Sequence, residues 1–483
     1  MTALALIRAV AAGAPARVAI EDAAGQGVTY GELIARVDHA ARQAARGAVV
    51  EVAAERSVAF VVGCLAAWAA GAAWMPIDPR EPAWRLAAMR AALAARGEPE
   101  TSVPRGSGDA LAYVIATSGS SGAPKLVMVG HRGVAALWQA QIAAFALAPG
   151  ARSLWLHAPR FDASLSDWGT ALASGATLVL PRPDALAAPA RLRDELVQRA
   201  ISYVDLPPAL LAHLPPEDPP PALRTVVLGG EPCPIEPLRA LARRVRVVVV
   251  YGPTEATVCS SLVVVDPDRW ARPLIGDPLP GVRYRVVDGE LWIGGACLAL
   301  GYAGDPAATA RQFVVEDGAR WYRTGDRVEP GDGGLAFAGR IDRQRKLAGV
   351  RIELDEIEAV LRRAPGVSEA AATVRVIGAS GRPRLVAFVD GAALEPAPLR
   401  AWLAREAPAW MQPARIVVGA LPRTATGKVD HAALLRCALP AVPAVPRSGD
   451  PAEARLAALW CQALDLAELG GERFRDAGGD SLA

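Results

Sequence analysis

Residues 117–125 read TSGSSGAPK, with the apolar runs LAYVIA before them and LVMV after them. Thr117, Ser118, Ser120 and Ser121 offer hydroxyls. Gly119 and Gly122 leave backbone N–H groups open to close approach, and Lys125 adds positive charge. Such a loop makes a concave cradle for an anion. A nucleotide P-loop fails on two counts. The spacing is not G-x-x-x-x-G-K-[ST], and a strand rather than a helix follows. A flexible linker fits poorly, because linkers do not run between two buried strands. Four more short stretches carry chemistry: RFDAS (160–164), YGPTEAT (251–257), YRTGDR (322–327) and TATGKVD (424–430). The Asp326 carboxylate in the third can accept two hydroxyls at once, being acceptor-only and two-pronged when ionised.

The elements around these stretches indicate an α/β protein of about two to four domains. LAYVIA, ATLVL, TVVLGG and RVVVVYG read as buried strands, RLRDELVQRA as an amphipathic helix. That order predicts a large N-terminal part of sheets covered by helices. VRYRVVDGELWIGG alternates around an Asp-Gly pair, predicting an antiparallel hairpin in a smaller barrel-like part. After Asp342 the pattern changes. A charged loop, RQRKLAGVRIE, leads to a helix, then two strands and another helix, a small α+β unit expected to be mobile. The expected boundaries are 1–342, 343–436, an Ala/Pro linker over 437–450, and a last segment over 451–483.

Composition narrows the functional classes. The 52 basic and 50 acidic residues leave a net charge of +2, so no electrostatic footprint for nucleic acid or membrane is expected. Six cysteines without a C-x-x-C pair suggest a reducing, cytoplasmic setting. Five scattered histidines lack zinc-site spacing. Residues 58–77, VAFVVGCLAAWAAGAAWMPI, approach membrane-span length. Nine of the twenty are Ala or Gly, only weakly apolar, and the run breaks at Pro76, which predicts a buried helix followed by a strand.

Taken together, TSGSSGAPK, VTYGEL, RFDAS, YGPTEAT, GELWIGG, YRTGDR, GRIDRQRKLAGVRIELDEIE and PRTATGKVD resemble the ANL adenylate-forming superfamily. In particular they resemble the amino-acid-activating adenylation domain of a nonribosomal peptide synthetase. The resemblance implies formation of an aminoacyl-AMP from ATP and an amino acid, then transfer to a carrier thiol. A stand-alone acyl- or aryl-CoA ligase is the alternative, and Asp162 argues against it. A carboxylate attacking a phosphate brings two anions together, so positive charge and Mg²⁺ are required.

By the same resemblance, Thr117 to Gly122 and Lys125 hold the phosphates, and Tyr251 and Thr254 lie by the nucleotide. Glu255 ligates Mg²⁺, Asp326 takes the ribose, and Arg340 sits near the nucleotide. Lys428 is the catalytic lysine, carried by the small unit, although an isolated loop lysine is far more often a solvated charge. Asp342 is the hinge between an adenylating and a transferring orientation. Asp162 pairs with the substrate ammonium; read alone, it would be a helix N-cap. The remaining pocket positions are Ala163, Ser166, Asp205, Val227, Gly229, Val250, Val258 and Cys259. Asp205 is the polar exception. An unpaired carboxylate at an apolar strand end is costly, so the substrate is expected to bring a side-chain donor, as glutamine or a basic amino acid would. An aromatic substrate with a polar edge is the rival.

Near the chain's end, GGDSL resembles the carrier motif whose serine bears 4′-phosphopantetheine, which would make Ser481 the attachment point. A carrier needs further helices beyond that serine, so a carrier cut short is expected. Expected partners are the amino acid, a complete carrier domain, neighbouring synthetase domains and a small MbtH-like protein.

Overall fold

The computed structural model describes residues 2–44, 47–96, 110–119, 123–183, 185, 191–331, 333–347, 350–377, 383–392, 394–424, 426–440 and 455–456. Ser120, Ser121, Gly122 and Ser481 lie outside the described residues, as does most of the expected linker and carrier segment.

Short apolar runs such as Tyr203–Leu206, Thr225–Gly229 and Thr177–Val179, buried on both faces, form the centre of a nine-stranded sheet. Its spatial order is Asp277–Pro278, Ser261–Val264, Arg246–Tyr251, Thr225–Gly229, Tyr203–Leu206, Arg152–Leu154, Thr177–Val179, Val18–Glu21 and Gly27–Thr29. Pairing is parallel from Arg246–Tyr251 to Val18–Glu21 and antiparallel at both ends. A second sheet runs Gly301–Tyr302, Lys125–Gly130, Leu111–Thr117, Ala73–Ile77, Val49–Ala53. The loop 118–124 therefore joins two adjacent antiparallel strands. Where a barrel-like part was expected, a five-stranded antiparallel sheet stands, built on Val282–Val287, Glu290–Gly295, Ala319–Gly331, Phe313–Glu316 and Gly334–Arg340. Its Asp-Gly turn has φ of 50° at Asp288 and 80° at Gly289, the pair of positive values a two-residue hairpin loop requires.

Residues 58–77 form the helix Val58–Ala69 and the strand Ala73–Ile77. Ser57 caps that helix by accepting the Phe60 N–H at 3.1 Å. Among the described residues no helix is long and apolar enough to cross a membrane.

One element differs from expectation. The charged loop after Asp342 contains a hairpin, Arg345–Leu347 with Val350–Ile352. Leu347 and Val350 pack against the small unit's core of Ile357, Val360, Leu361, Leu385 and Leu403, and that burial makes strands of a stretch whose composition reads as solvated. Helices Leu354–Arg362 and Pro396–Glu406 and the sheet Val367–Val376, Pro383–Gly391, Arg415–Val418 complete this unit.

Two helices set the depth of the main site. His131–Phe145 and Ala163–Ser174 meet through Trp138 and Trp168, whose ring centroids are 5.5 Å apart. A Cβ on Gly169 would lie 2.0 Å from the Trp138 ring, so this crossing requires glycine. It brings Gln141 and Ser166 side by side.

Candidate functional site

The anion loop begins at Thr117, the end of a buried strand. Ser118 Oγ donates to the Arg351 carbonyl at 3.2 Å and accepts the Glu353 N–H at 3.1 Å. The Gly119 N–H donates to Glu356 at 3.1 Å. A Cβ on Gly119 would sit 1.9 Å from the Ala123 carbonyl oxygen, so no other residue fits that bend. Lys125 Nζ lies 5.7 Å from the centre of the Tyr302 ring. In this arrangement Ser118 and Gly119 are met by the small unit.

Glu255 stands in the single-turn helix Thr254–Ala256, fully buried. Its carboxylate accepts from Tyr302 Oη at 2.8 Å and from Arg351 Nη1 at 3.0 and 2.9 Å. Burial opposes ionisation, yet Arg351 and the hydrogen bonds hold the group below the usual carboxylate range. Tyr251 Oη donates to Asp326 at 2.5 Å. Arg340 donates to the other Asp326 oxygen, and grips both oxygens of Asp342 at 2.6 and 2.7 Å. Four of the expected residues, Tyr251, Asp326, Arg340 and Asp342, thus form one hydrogen-bonded chain.

The expected pocket residues also converge. Val227 is in register with Asp205 and Val248, and Gly229 with Val250. Parallel neighbours in register point to one side of the sheet, so Asp205, Val227, Gly229 and Val250 share the face covered by Trp138 and Trp168. Their alternates Val204, Leu206, Val226 and Leu228 fill a separate core on the opposite face. Gln141 Nε2 donates to Ser166 Oγ at 2.8 Å and to Cys259 Sγ at 3.4 Å. Thr257 and Val258 have φ of 55° and 67°. Left-handed backbone is unusual for β-branched residues and stores about 1–3 kcal/mol at each; here it turns the chain at the pocket wall.

Asp162 precedes the helix Ala163–Ser174 but its side chain makes no capping hydrogen bond. Its Oδ2 is buried without a hydrogen-bond partner. Burial raises its pKa, countered in part by Thr254 beside it.

Lys428 is not brought to this cluster. It is exposed in the turn after Thr424, and its carbonyl accepts the Thr424 N–H at 2.8 Å. Arg351 and Lys346 stand at the site instead. Burial lowers the Lys346 ammonium pKa, while Asp326 and Asp162 nearby favour its charge. A second bridge ties the units together. Arg85 pairs with buried Glu356, and also with Glu81 at 3.0 Å. Arg351 and Lys346 lie within a stretch already singled out in the sequence, but nothing there marks which of its charges turn inward. His157 and Asp167, packed beside Asp205, carry no sequence signal: a histidine and an aspartate ten residues apart form no motif.

Comparison with known proteins gives a consistent picture. The AMP-binding enzyme family matches residues 7–97 and 89–303. The AMP-binding enzyme C-terminal domain matches 356–428. The chain is 35% identical to novobiocin biosynthesis protein H of Streptomyces niveus, over 95% of this chain and 86% of that protein. It is 37% identical to phosphinothricin tripeptide synthetase PhsC of Streptomyces viridochromogenes, over 90% of this chain but only 45% of the synthetase. Among solved structures it is similar to holo-PA1221, a synthetase protein with adenylation and PCP domains bound to a vinylsulfonamide inhibitor. The TM-score is 0.80 at 30% identity, covering 98% of this chain and 89% of that one.

Proposed function

Because the chain belongs to the AMP-binding enzyme family and contains an adenylation domain of the nonribosomal peptide synthetase type, an ATP-dependent ligase, we propose that it forms an aminoacyl-AMP and pyrophosphate from ATP and an α-amino acid, then passes the acyl group to a carrier's pantetheine thiol. The observation that carries this reading is Asp162. A buried carboxylate oxygen without a hydrogen-bond partner, next to the small and apolar residues expected to hold the side chain, is what an α-ammonium needs. Asp205 adds that the side chain brings a hydrogen-bond donor.

In the first step the substrate carboxylate attacks the α-phosphorus and pyrophosphate leaves. Residues 117–125 would cradle the phosphates, Asp326 would accept the ribose hydroxyls, and Tyr251 would lie against the base. Glu255 fits a divalent cation, since it is buried, ionised and already charge-paired. In the present arrangement Arg351 fills that place, so a metal there requires Arg351 to withdraw. Mg²⁺ bound there would supply charge neutralisation for the phosphates. We read the arrangement as the transferring orientation. Rotation about Asp342 would remove Lys346 and Arg351 and bring Lys428 against the carboxylate and phosphate oxygens, where its charge counts in the transition state.

The test is ATP–pyrophosphate exchange with a panel of amino, aryl and fatty acids. Exchange is expected with α-amino acids alone; exchange driven by an aryl or fatty acid would establish the CoA-ligase alternative. On the same assay Gly119→Ala lowers kcat/KM for ATP on the order of 10²-fold, because the added Cβ displaces the cradle by about an ångström. An unchanged value would remove the loop from the phosphate site.

A further inference from the structure

Two charged residues with no part in the steps above, His157 and Asp167, cluster with the expected pocket residue Asp205. His157 follows the strand Arg152–Leu154, Asp167 sits on the helix Ala163–Ser174, and Asp205 lies on Tyr203–Leu206. Ligand atoms of the three all fall within 4.8 Å of one another. Asp167 Oδ2 is 3.1 Å from His157 Nδ1 and accepts the N–H groups of Leu156 and His157 at 3.1 and 2.7 Å. Arg56 Nε donates to the His157 carbonyl at 3.2 Å, and its Nη2 to that of Leu156. Asp167 Oδ1 and the Tyr203 hydroxyl are buried and have no hydrogen-bond partner, in residues 0% and 1% exposed. Tyr203 faces Asp205, Asp167 and Cys259.

The charges in this cluster balance. With all four groups ionised, Arg56 and His157 offset Asp167 and Asp205. Burial alone would lower the His157 pKa, yet the two carboxylates hold it up at about 9. Burial pushes Asp205 up to about 7, with His157 pulling it down and Asp167 pushing it up. His157, with a ring nitrogen within 4.8 Å of the Asp205 carboxylate, therefore offsets part of the cost of burying that charge, and burial still outweighs it.

We propose that His157 is a specificity-determining residue: by compensating Asp205 it makes the pocket floor an acceptor for an uncharged N–H or O–H side chain and disfavours a cationic one. This rests on the amino-acid-activating reading and narrows its substrate class. A cation on the floor would leave a net buried positive charge. An uncharged donor keeps the balance while giving Asp205 a hydrogen bond.

Exchange with glutamine, tyrosine, lysine and ornithine tests this in the full chain, in its native form and as His157→Gln and Asp205→Asn. The native protein is expected to favour an uncharged donor over lysine and ornithine by about tenfold or more in kcat/KM. His157→Gln is expected to shrink or invert that ratio by about tenfold, through KM for the amino acid and not KM for ATP. On acidification its amino-acid KM should begin to rise at higher pH than in the native protein, because Asp205 loses the imidazolium that lowers its pKa. A native preference for lysine or ornithine overturns the proposal. So does a His157→Gln variant whose ratio and pH profile match the native ones. A second readout needs no turnover. With ¹³C-labelled histidine, the NMR resonance that His157→Gln removes should titrate near 9 and at lower pH in Asp205→Asn. Titration at the ordinary histidine value, unmoved by Asp205→Asn, overturns the proposal. Absence of exchange with every amino acid would instead defeat the adenylation reading, leaving the titration to decide the floor.

Discussion

Replacing Asp162 with alanine lowers kcat/KM for the amino acid on the order of 10²–10³-fold, the equivalent of about 3–4 kcal/mol for breaking a buried charge pair. KM for ATP stays near its original value, because Asp162 belongs to the pocket and not to the cradle of residues 117–125. The free protein should not lose stability. Burial raises the Asp162 pKa, so folding makes ionisation of this carboxyl more costly than in the unfolded chain. A carboxylate with a raised folded pKa costs more stability as pH rises above its unfolded value. Asp162→Ala should therefore melt at the same temperature or higher, with the difference growing as pH rises above about 4. Exchange kinetics and thermal melts together check this. A lower melting temperature with an unchanged amino-acid KM would make Asp162 a structural residue, in line with the N-cap reading of DAS.

Lys428 and Arg351 should fail in opposite steps. Lys428→Ala lowers aminoacyl-AMP formation on the order of 10²–10³-fold, the usual cost of removing one preorganised charge from the transition state. Transfer from a preformed aminoacyl-AMP should change little, because in this arrangement Lys428 is exposed. Arg351→Ala should do the reverse. It leaves Glu255, 0% exposed, without its cation, at a cost of about 3–5 kcal/mol in this orientation alone. A penalty of that size shifts a two-state equilibrium on the order of 10²-fold or more. Pyrophosphate exchange should survive while acylation of pantetheine, or of an intact carrier supplied in trans, falls. Equal losses in both steps for either variant would contradict a division of labour between the two faces of the small unit.

Much of this arrangement is legible in the residues. TSGSSGAPK announces a loop between two strands, and the strands Leu111–Thr117 and Lys125–Gly130 flank it. The Asp-Gly pair at 288–289 predicts its hairpin because few other dipeptides tolerate two positive φ values. The pocket face follows from strand alternation once Asp205, Val227 and Gly229 are placed on neighbouring parallel strands. The remainder depends on tertiary context. RQRKLAGVRIE looks like a solvated loop until Leu347 and Val350 find the small unit's core. Asp205 looks isolated because the imidazole that clusters with it, His157, stands on a different strand connection, 48 residues earlier. The exposure of Lys428 has no signal in TATGKVD, which reads the same whether its lysine faces solvent or the site.

Direct detection of the product decides most between these readings. The purified chain is incubated with ATP, Mg²⁺ and each proteinogenic amino acid, and bound nucleotide is analysed by mass spectrometry. An aminoacyl-AMP should form from one amino acid or a small group, accumulate with pyrophosphate in a one-to-one ratio, and vanish in Lys428→Ala. Formation of an acyl-AMP only from a carboxylic acid lacking an α-amino group would contradict the role given to Asp162 and, with it, amino-acid activation.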